Sequence, residues 1–444
     1  MRSQDNFDQR LNRTADGVMA ATTATPIATY GEVFADGAII ELISGDHDGN
    51  PALMCWDGAK ETIGARVEHS GQLYEPATIG ASLLQELSLP AGCRPHGSTR
   101  RLLAEVCTLI ADLAQLNEKF ASLTGRFILC SALVEAVSVA PMLTVAGPDA
   151  ARGNQLVNLL RCLCRHALPL TGVTPAGFCS LASGARFSYL ISQASVSDRL
   201  RKLLDDASCR DRKIPFRGRL LDLFGVQVIH SNSSVSADFG PLRSILIPMI
   251  PNDQQLPAFD LEMQDRITSE FQDKVLSFRR AILGVACRLA FDVSKFTPRL
   301  RNLARNVAAA TPDDTGLQDE VCNLLRDEDD EIRFDRWVDP GAIAAEAVLV
   351  AHYDSPGGIT YIADLSRIAQ EISRRRGQEA VIDPGEFGKQ LKLLGFVTQR
   401  DARGKKLHLT EAAHERAQQI VRDFGGPEVG DDQPGTASPS VTGR

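Results

Sequence analysis

Long apolar runs are missing from this chain. Its most apolar stretch, around 127–145, is interrupted by Ser131, Glu135, Ser138 and Pro141, whereas a membrane-spanning helix needs about 20 nearly unbroken apolar residues. Residues 1–13 are polar and hold no apolar signal-peptide core, so a cytoplasmic protein without membrane association is expected. Paired-cysteine motifs are missing too. Ten cysteines contain no CxxC, which removes the common zinc and redox spacings. Cys162 and Cys164 are two apart on an expected helix, point in different directions and read as reduced core thiols. An excess of positive charge is also absent. The formal net charge of -8 excludes a generally basic surface but leaves room for one local basic module. No Ser/His/Asp grouping, metal-ligand spacing or paired-carboxylate signature stands out, and His69 and His230 read as packing or surface residues.

What is present is an ordinary globular mixture, 43% hydrophobic and 23% charged over 444 residues, enough for two or three domains. Polar residues at 1–25 and a Gly/Pro/Ser-rich tail at 426–444 read as disordered. Over 26–76, short β runs such as Ile39-Ile40-Glu41-Leu42-Ile43 and Leu53-Met54-Cys55-Trp56 alternate with Asp36-Gly37, Asp57-Gly58 and Ser70-Gly71, the pattern of a small antiparallel meander. A helical connector follows over 77–140. Leu102, Leu103, Val106, Ile110, Leu113 and Leu116 form one stripe, with a start signal at Gly97-Ser98-Thr99. Over 141–255, apolar strands centred on Leu143, Leu190, Val228 and Leu246 alternate with helical segments, which favours a parallel sheet flanked by helices. A helical segment occupies 256–355, and the contiguous acids at 327–331 read as a solvated loop. A separate unit spans 356–425. The expected class is therefore α/β: meander, helical connector, parallel α/β core, helical segment and C-terminal module.

The loop after the strand Met142-Leu143-Thr144-Val145-Ala146 stands where a helix N-terminus can hold phosphate. A working phosphate loop reads G-x-x-x-x-G-K-[ST]. Here Gly147 and Gly153 are one residue too far apart, Asn154 replaces the lysine and Gln155 replaces the hydroxyl residue. The strand through Tyr189 runs into Ser192-Gln193 where acids would hold magnesium. Asn232 and Arg243 stand where a water-sensing residue and a finger-like arginine would sit. A vestigial nucleotide site at Gly147, Gly153, Asn154 and Gln155 is expected, with ATP as the only cofactor to consider, held weakly.

Several segments carry a resemblance. They are the loop region at 141–148, Leu170-Thr171-Gly172-Val173-Thr174, Phe216-Arg217-Gly218 before Leu220-Leu221-Asp222, Arg243-Ser244-Ile245-Leu246-Ile247-Pro248, and 270–279. Together they resemble the ATPase core of phage and mobile-element primase-helicases. With Gly31-Glu32-Val33-Phe34-Ala35-Asp36-Gly37 and the C-terminal module, nearly the whole chain is similar to a bacterial family related to them. The resemblance implies a P-loop-like core over 141–255; the residues it would carry over as catalytic are absent.

In the C-terminal module, Ile362, Leu365, Ile368, Ala369 and Ile372 mark one helix, ended by Arg374-Arg375-Arg376-Gly377. Asp383-Pro384 starts a second, with Phe387, Leu391 and Leu394 inward and Lys389, Gln390 and Lys392 more exposed. A hairpin follows, tipped by Arg400, Arg403, Lys405 and Lys406. This order resembles a winged helix, whose second helix reads a groove while the wing lies on phosphate. Over 367–406 ten Lys/Arg face five Asp/Glu, so duplex DNA is the expected partner, through Lys389, Gln390, Lys392, Arg400, Arg403, Lys405 and Lys406. The expected function is a DNA-binding accessory factor in replication, regulation or mobile-element biology, with a helicase-like core that does not hydrolyse ATP and that serves as scaffold or homo-oligomer surface. Two alternatives are an active helicase-type ATPase with a divergent site and a protein-interaction scaffold.

Overall fold

The computed structural model describes residues 25–45, 50–78, 80–181, 183–232, 244–252, 254–378 and 381–424. The two stretches expected to be disordered lie almost wholly outside them, as does Arg243. The described residues form two compact units, one drawn from 1–291 and 305–319, the other from 292–304 and 320–444. Among them no helix is long and apolar enough to cross a membrane.

The first unit opens with β1 (Ile27–Thr29), β2 (Gly31–Val33), β3 (Ile39–Ile43), β4 (Ala52–Trp56), β5 (Glu61–Gly64), β6 (Val67–His69) and β7 (Gln72–Pro76). β2 to β5 pair antiparallel in chain order; β6 and β7 form a hairpin, and β1 runs parallel to β7. Then come α1 (Ala81–Glu86), α2 (Thr99–Ala114) and α3 (Glu118–Ala132). Ser98 caps α2 by accepting from the Arg101 N–H, and the stripe from Leu102 to Leu113 is buried.

The core is a five-stranded parallel sheet of β8 (Met142–Ala146), β9 (Ala167–Thr171), β10 (Ser188–Ser192), β13 (Gln227–Ser231) and β14 (Ser244–Pro248). The antiparallel hairpin β11 (Ile214–Phe216) and β12 (Arg219–Leu221) lies between β10 and β13 in the chain. Central strands are buried almost end to end, as expected where helices cover both faces. β9 escapes the sequence pattern because Pro169 interrupts it; at a sheet edge the missing N–H is tolerated. The sheet order is β14-β8-β13-β10-β9. From β8 the chain crosses to the far edge, returns through β10 and β13, and passes β8 again to reach β14. Ligand crevices of open α/β sheets lie outside the carboxyl ends of strands at such a reversal. α4 (Ala150–Leu163) makes the first crossing, α5 (Pro175–Phe178) and α6 (Asp198–Ala207) follow, and the 26-residue α7 (Leu261–Ala286) packs along α4. Gln272 of α7 donates to the carbonyls of Cys162 (2.8 Å) and Cys164 (3.0 Å).

A buried charge network ties this unit together. Glu41 on β3 accepts from Arg165 Nε at 2.6 Å and Arg279 Nε at 3.0 Å. Arg279 also holds Glu135 through both terminal nitrogens, at 2.6 and 3.0 Å. His166 Nε2 stands 3.0 Å from Glu41, on a backbone with φ of 47° that disfavours any side chain. Burial opposes ionisation of Glu41, yet the Arg165 and Arg279 guanidiniums outweigh it and hold its carboxyl well below the usual range. The same balance of burial against Arg279 and Arg165 brings Glu135 to about 2. Burial and Arg165 push His166 down, toward the neutral form.

The second unit contains α10 (Arg326–Trp337), α11 (Pro340–Asp354), β15 (Ile359–Tyr361), α12 (Ile362–Arg375), α13 (Pro384–Leu393), β16 (Thr398–Asp401), β17 (Gly404–His408) and α14 (Glu411–Asp423); α8 (Arg301–Ala309) and α9 (Thr315–Leu324) carry residues of both units. The acids at 327–331 lie in α10, a correction to the expected loop. Their contiguity hid a helix whose first turn favours negative charge. Asp329 is buried, accepting from the Thr297 N–H (2.8 Å) and Arg333 (2.8 Å). β15 pairs antiparallel with β17, which pairs with β16. Ile343, Ala347 and Val348 of α11 share one apolar core with Leu365, Phe387, Leu391, Phe396, Leu407 and Val421.

Removing one carboxylate from the network strands a buried guanidinium, so Glu41→Gln is expected to cost about 3–5 kcal/mol. Removing the exposed Arg66–Glu75 pair should cost about 0–1 kcal/mol. Urea unfolding of both variants checks this. Because the folded Glu135 value lies below the ordinary 4.5, its contribution is complete above that value and lost as pH falls toward about 2. The wild type should therefore lose more stability over that interval than Glu135→Gln.

Candidate functional site

At the carboxyl end of β8 the backbone groups are engaged by described residues of the chain itself. Beyond β8 the backbone turns at Gly147, whose φ of 149° is open to glycine. A Cβ there would lie 2.2 Å from the Met249 carbonyl oxygen. Met249 continues β14: its N–H donates to the Ala146 carbonyl (2.8 Å), and its own carbonyl accepts from Asp149 N–H (3.2 Å). Gly147 N–H donates to the Ser231 carbonyl (3.3 Å).

The helix that follows starts early, at Ala150. Asp149 is its N-cap, and its Oδ1 accepts from the Arg152 N–H at 3.1 Å. One first-turn donor of the kind that faces phosphate in a nucleotide loop is thus met by a carboxylate of this chain. The buried Arg152 guanidinium lies 3.3 Å from the other Asp149 oxygen and donates to the Ile250 carbonyl at 3.1 Å. An incoming phosphate would meet the Asp149 charge, and the adjacent cation is already engaged.

Gly153, Asn154 and Gln155 therefore sit within α4 and not in a loop. Gly153 N–H donates to the Asp149 carbonyl (3.0 Å). A Cβ on Gly153 would stand 2.6 Å from His230 Nε2, so this glycine lets the helix approach β13. Asn154 is exposed. Gln155 donates to the carbonyls of Leu113 (2.7 Å) and Pro257 (3.1 Å). At the neighbouring strand ends, Ser192 Oγ lies 3.3 Å from His230 Nδ1. Gln193 accepts from the Val173 N–H (3.0 Å) and donates to the Ser195 carbonyl (2.9 Å). Burial lowers His230, and the Asn232 side chain beside it pulls the other way. Sequence reading passed over Asp149 and Arg152; an Asp three residues before a helical N–H is the signal that marks the cap.

In the second unit the basic residues divide by pairing. Lys389 is bound to Glu386 at 2.6 Å, an interaction that raises its pKa. Lys406 lies 3.2 Å from Asp401. Asp401 also accepts from the Arg403 N–H, which is the first cause of its lowered pKa. Arg374 and Arg375 share Glu371, and Arg376 is buried against Glu346. Lys392, Arg400, Arg403 and Lys405 are exposed and, among the described residues, have no acidic partner. Gln390 is half-buried and faces the start of α11, where its amide nitrogen would stand 3.3 Å from a Cβ on Gly341. The cations thus gather on the β16–β17 hairpin and the last turn of α13, beside the exposed Leu393 and Val397.

No family model and no curated protein matches the chain. Weak likeness to solved structures exists. The C-terminal region of NrS-1 is 12% identical, with a TM-score of 0.35 over 83% of this chain and 96% of that one. A full-length MCM homolog from Methanopyrus kandleri is 10% identical, with a TM-score of 0.34 over 65% and 77%. The Drosophila ORC bound to DNA is 14% identical, with a TM-score of 0.20 over 80% and 96%.

If Gly153 serves packing, Gly153→Ala should destabilise the protein by about 1–3 kcal/mol through overpacking, although Ala in a helix interior is ordinarily the more stable residue by about 1 kcal/mol. Adding His230→Ser should recover most of the loss. Thermal unfolding of the single and double variants reads the sign; a stabilised Gly153→Ala protein would contradict this reading.

Proposed function

We propose that the chain binds duplex DNA through a winged helix running from α11 to α14, and that its parallel sheet is a P-loop-type core that no longer hydrolyses ATP. The observation that carries the DNA reading is the set of cations Lys392, Arg400, Arg403 and Lys405 on the hairpin and the adjoining helix, exposed and without an acidic partner among the described residues. The order helix, strand, helix, helix, hairpin, with the first strand returning to pair on the hairpin, supports the winged-helix reading. On that reading the hairpin is the wing and lies on phosphate, while α13 enters the groove with Lys389 and Lys392 outward. Lys389 and Lys406 reach DNA only by leaving Glu386 and Asp401, so their contribution is smaller than that of those four. Gln390 contributes through the helix's seat on α11.

Non-hydrolysis is supported by the Asp149 cap, the early helix start and the uncharged Ser192 and Gln193. Missing charge on a transition-state phosphate is worth orders of magnitude in rate. The core then acts as scaffold or oligomerisation surface for a replication or mobile-element accessory factor. A second reading, in which the wing docks protein, is favoured by one observation: Leu393 and Val397 are 82% and 77% exposed beside the cations.

One purified sample tests both halves. Magnesium-dependent ATP turnover should not rise above background; roughly 1 per second or faster, abolished by altering residues 147–155, would restore the ATPase reading. Changing Arg400, Arg403 and Lys405 together to Ala should weaken binding on every duplex tested. It should also flatten the salt dependence by up to ~0.9 log units for each phosphate no longer neutralised. Changing Leu393 and Val397 to Ser should leave DNA binding intact; a folded chain with no salt-sensitive association with DNA selects the protein-docking wing.

A further inference from the structure

The second unit holds a group of metal-type ligands that the DNA reading does not use. His352 is in the last turn of α11. Glu411 and His414 begin α14, three residues apart and so on one face. α11 and α14 pack against each other, which stacks the two imidazoles with centroids 4.4 Å apart and planes at 11°. Glu411 closes the group, with Oε1 3.2 Å from His414 Nδ1 and Oε2 3.9 Å from His352 Nε2. One donor atom from each of the three lies within 4.8 Å of the others.

One further detail points to a cation, and a neighbouring side chain can adapt to it. His352 is only 7% exposed, and its Nδ1 has no hydrogen-bond partner among the described residues, so its ring is buried without full polar satisfaction. His414 Nε2 lies 3.1 Å from the amide nitrogen of Gln418, which donates to it. A cation on His414 Nδ1 selects the tautomer protonated at Nε2, which Gln418 meets by turning its amide oxygen to the ring. In that orientation Gln418 supplies the outer support that metal-bound imidazoles ordinarily have.

We propose that His352, Glu411 and His414 bind one divalent cation of the zinc class, with water in the fourth position. Two imidazoles and a carboxylate suit zinc in an open site; magnesium and calcium prefer all-oxygen sets. Glu411 is exposed, so the fourth position opens to solvent. Tetrahedral bonds of about 2.0–2.1 Å bring donors to roughly 3.4 Å from one another, so binding turns the stacked imidazoles out of parallel and draws Glu411 inward. The carbonyl end of α11 adds favourable partial charge. The bound cation clamps the end of α11 to the start of α14.

The test uses the full-length chain after chelator treatment, titrated with Co2+ as the spectroscopic probe. The expected result is one Co2+ per chain, with tetrahedral visible absorption and no thiolate charge-transfer band, displaced by equimolar Zn2+ and unaffected by excess Mg2+. Glu411→Gln and His414→Gln should each weaken Co2+ binding at least tenfold while keeping the wild-type circular dichroism spectrum. No Co2+ binding, a thiolate band marking binding at the cysteines, or full affinity in both variants would each overturn the proposal.

Discussion

Glu41 is the residue on which the first unit depends. It lies on a small N-terminal sheet, 1% exposed, where an uncompensated carboxylate would cost several kcal/mol. Its partners come from elsewhere in the chain: Arg165 and His166 from the turn between α4 and β9, and Arg279 from α7. Arg279 in turn holds Glu135, which follows α3. Two carboxylates and two guanidiniums balance, and burial with Arg165 favours a neutral imidazole. None of these segments satisfies its own charge, so the N-terminal sheet, the parallel core and the long helix must assemble together. The left-handed backbone at His166 is tolerated because this assembly fixes the turn around it.

The same self-sufficiency governs the strand-end crevice. The sheet order puts a topological reversal at β8, a favoured place for a ligand. Yet the helix N-terminus is met by Asp149, the nearby guanidinium by Asp149 and the Ile250 carbonyl, and the turn by Met249. The glycines that suggest a phosphate loop have another explanation in close packing, Gly147 against Met249 and Gly153 against His230. In the C-terminal module the opposite holds: four cations are exposed without a partner among the described residues.

The α/β class and four of the five core strands were legible in the sequence, because buried parallel strands read as apolar runs and helices as stripes. The capped start of α2 was legible for the same local reason. Elsewhere local signals failed. β9 carries Pro169, and only its edge position makes that acceptable. α10 carries contiguous acids, and only the buried hydrogen bonds of Asp329 reveal its inner face. The seven residues named for DNA could be placed on helix and hairpin from sequence, but not sorted, since the pairing of Lys389 with Glu386 and Lys406 with Asp401 and the inward seat of Gln390 depend on three-dimensional neighbours. Glu41 looked like an ordinary polar position in a meander because its partners lie far along the chain, at 165, 166 and 279.

The central claim is that the exposed cations Lys392, Arg400, Arg403 and Lys405 of the C-terminal module hold DNA phosphate. The most direct measurement is duplex-DNA affinity of the full-length chain across a salt series. Neutralising one phosphate with each of the four cations predicts that log K falls with log salt at a slope of roughly -3 to -4, on unrelated sequences alike. Affinity independent of salt, or no association at low ionic strength, would contradict the account.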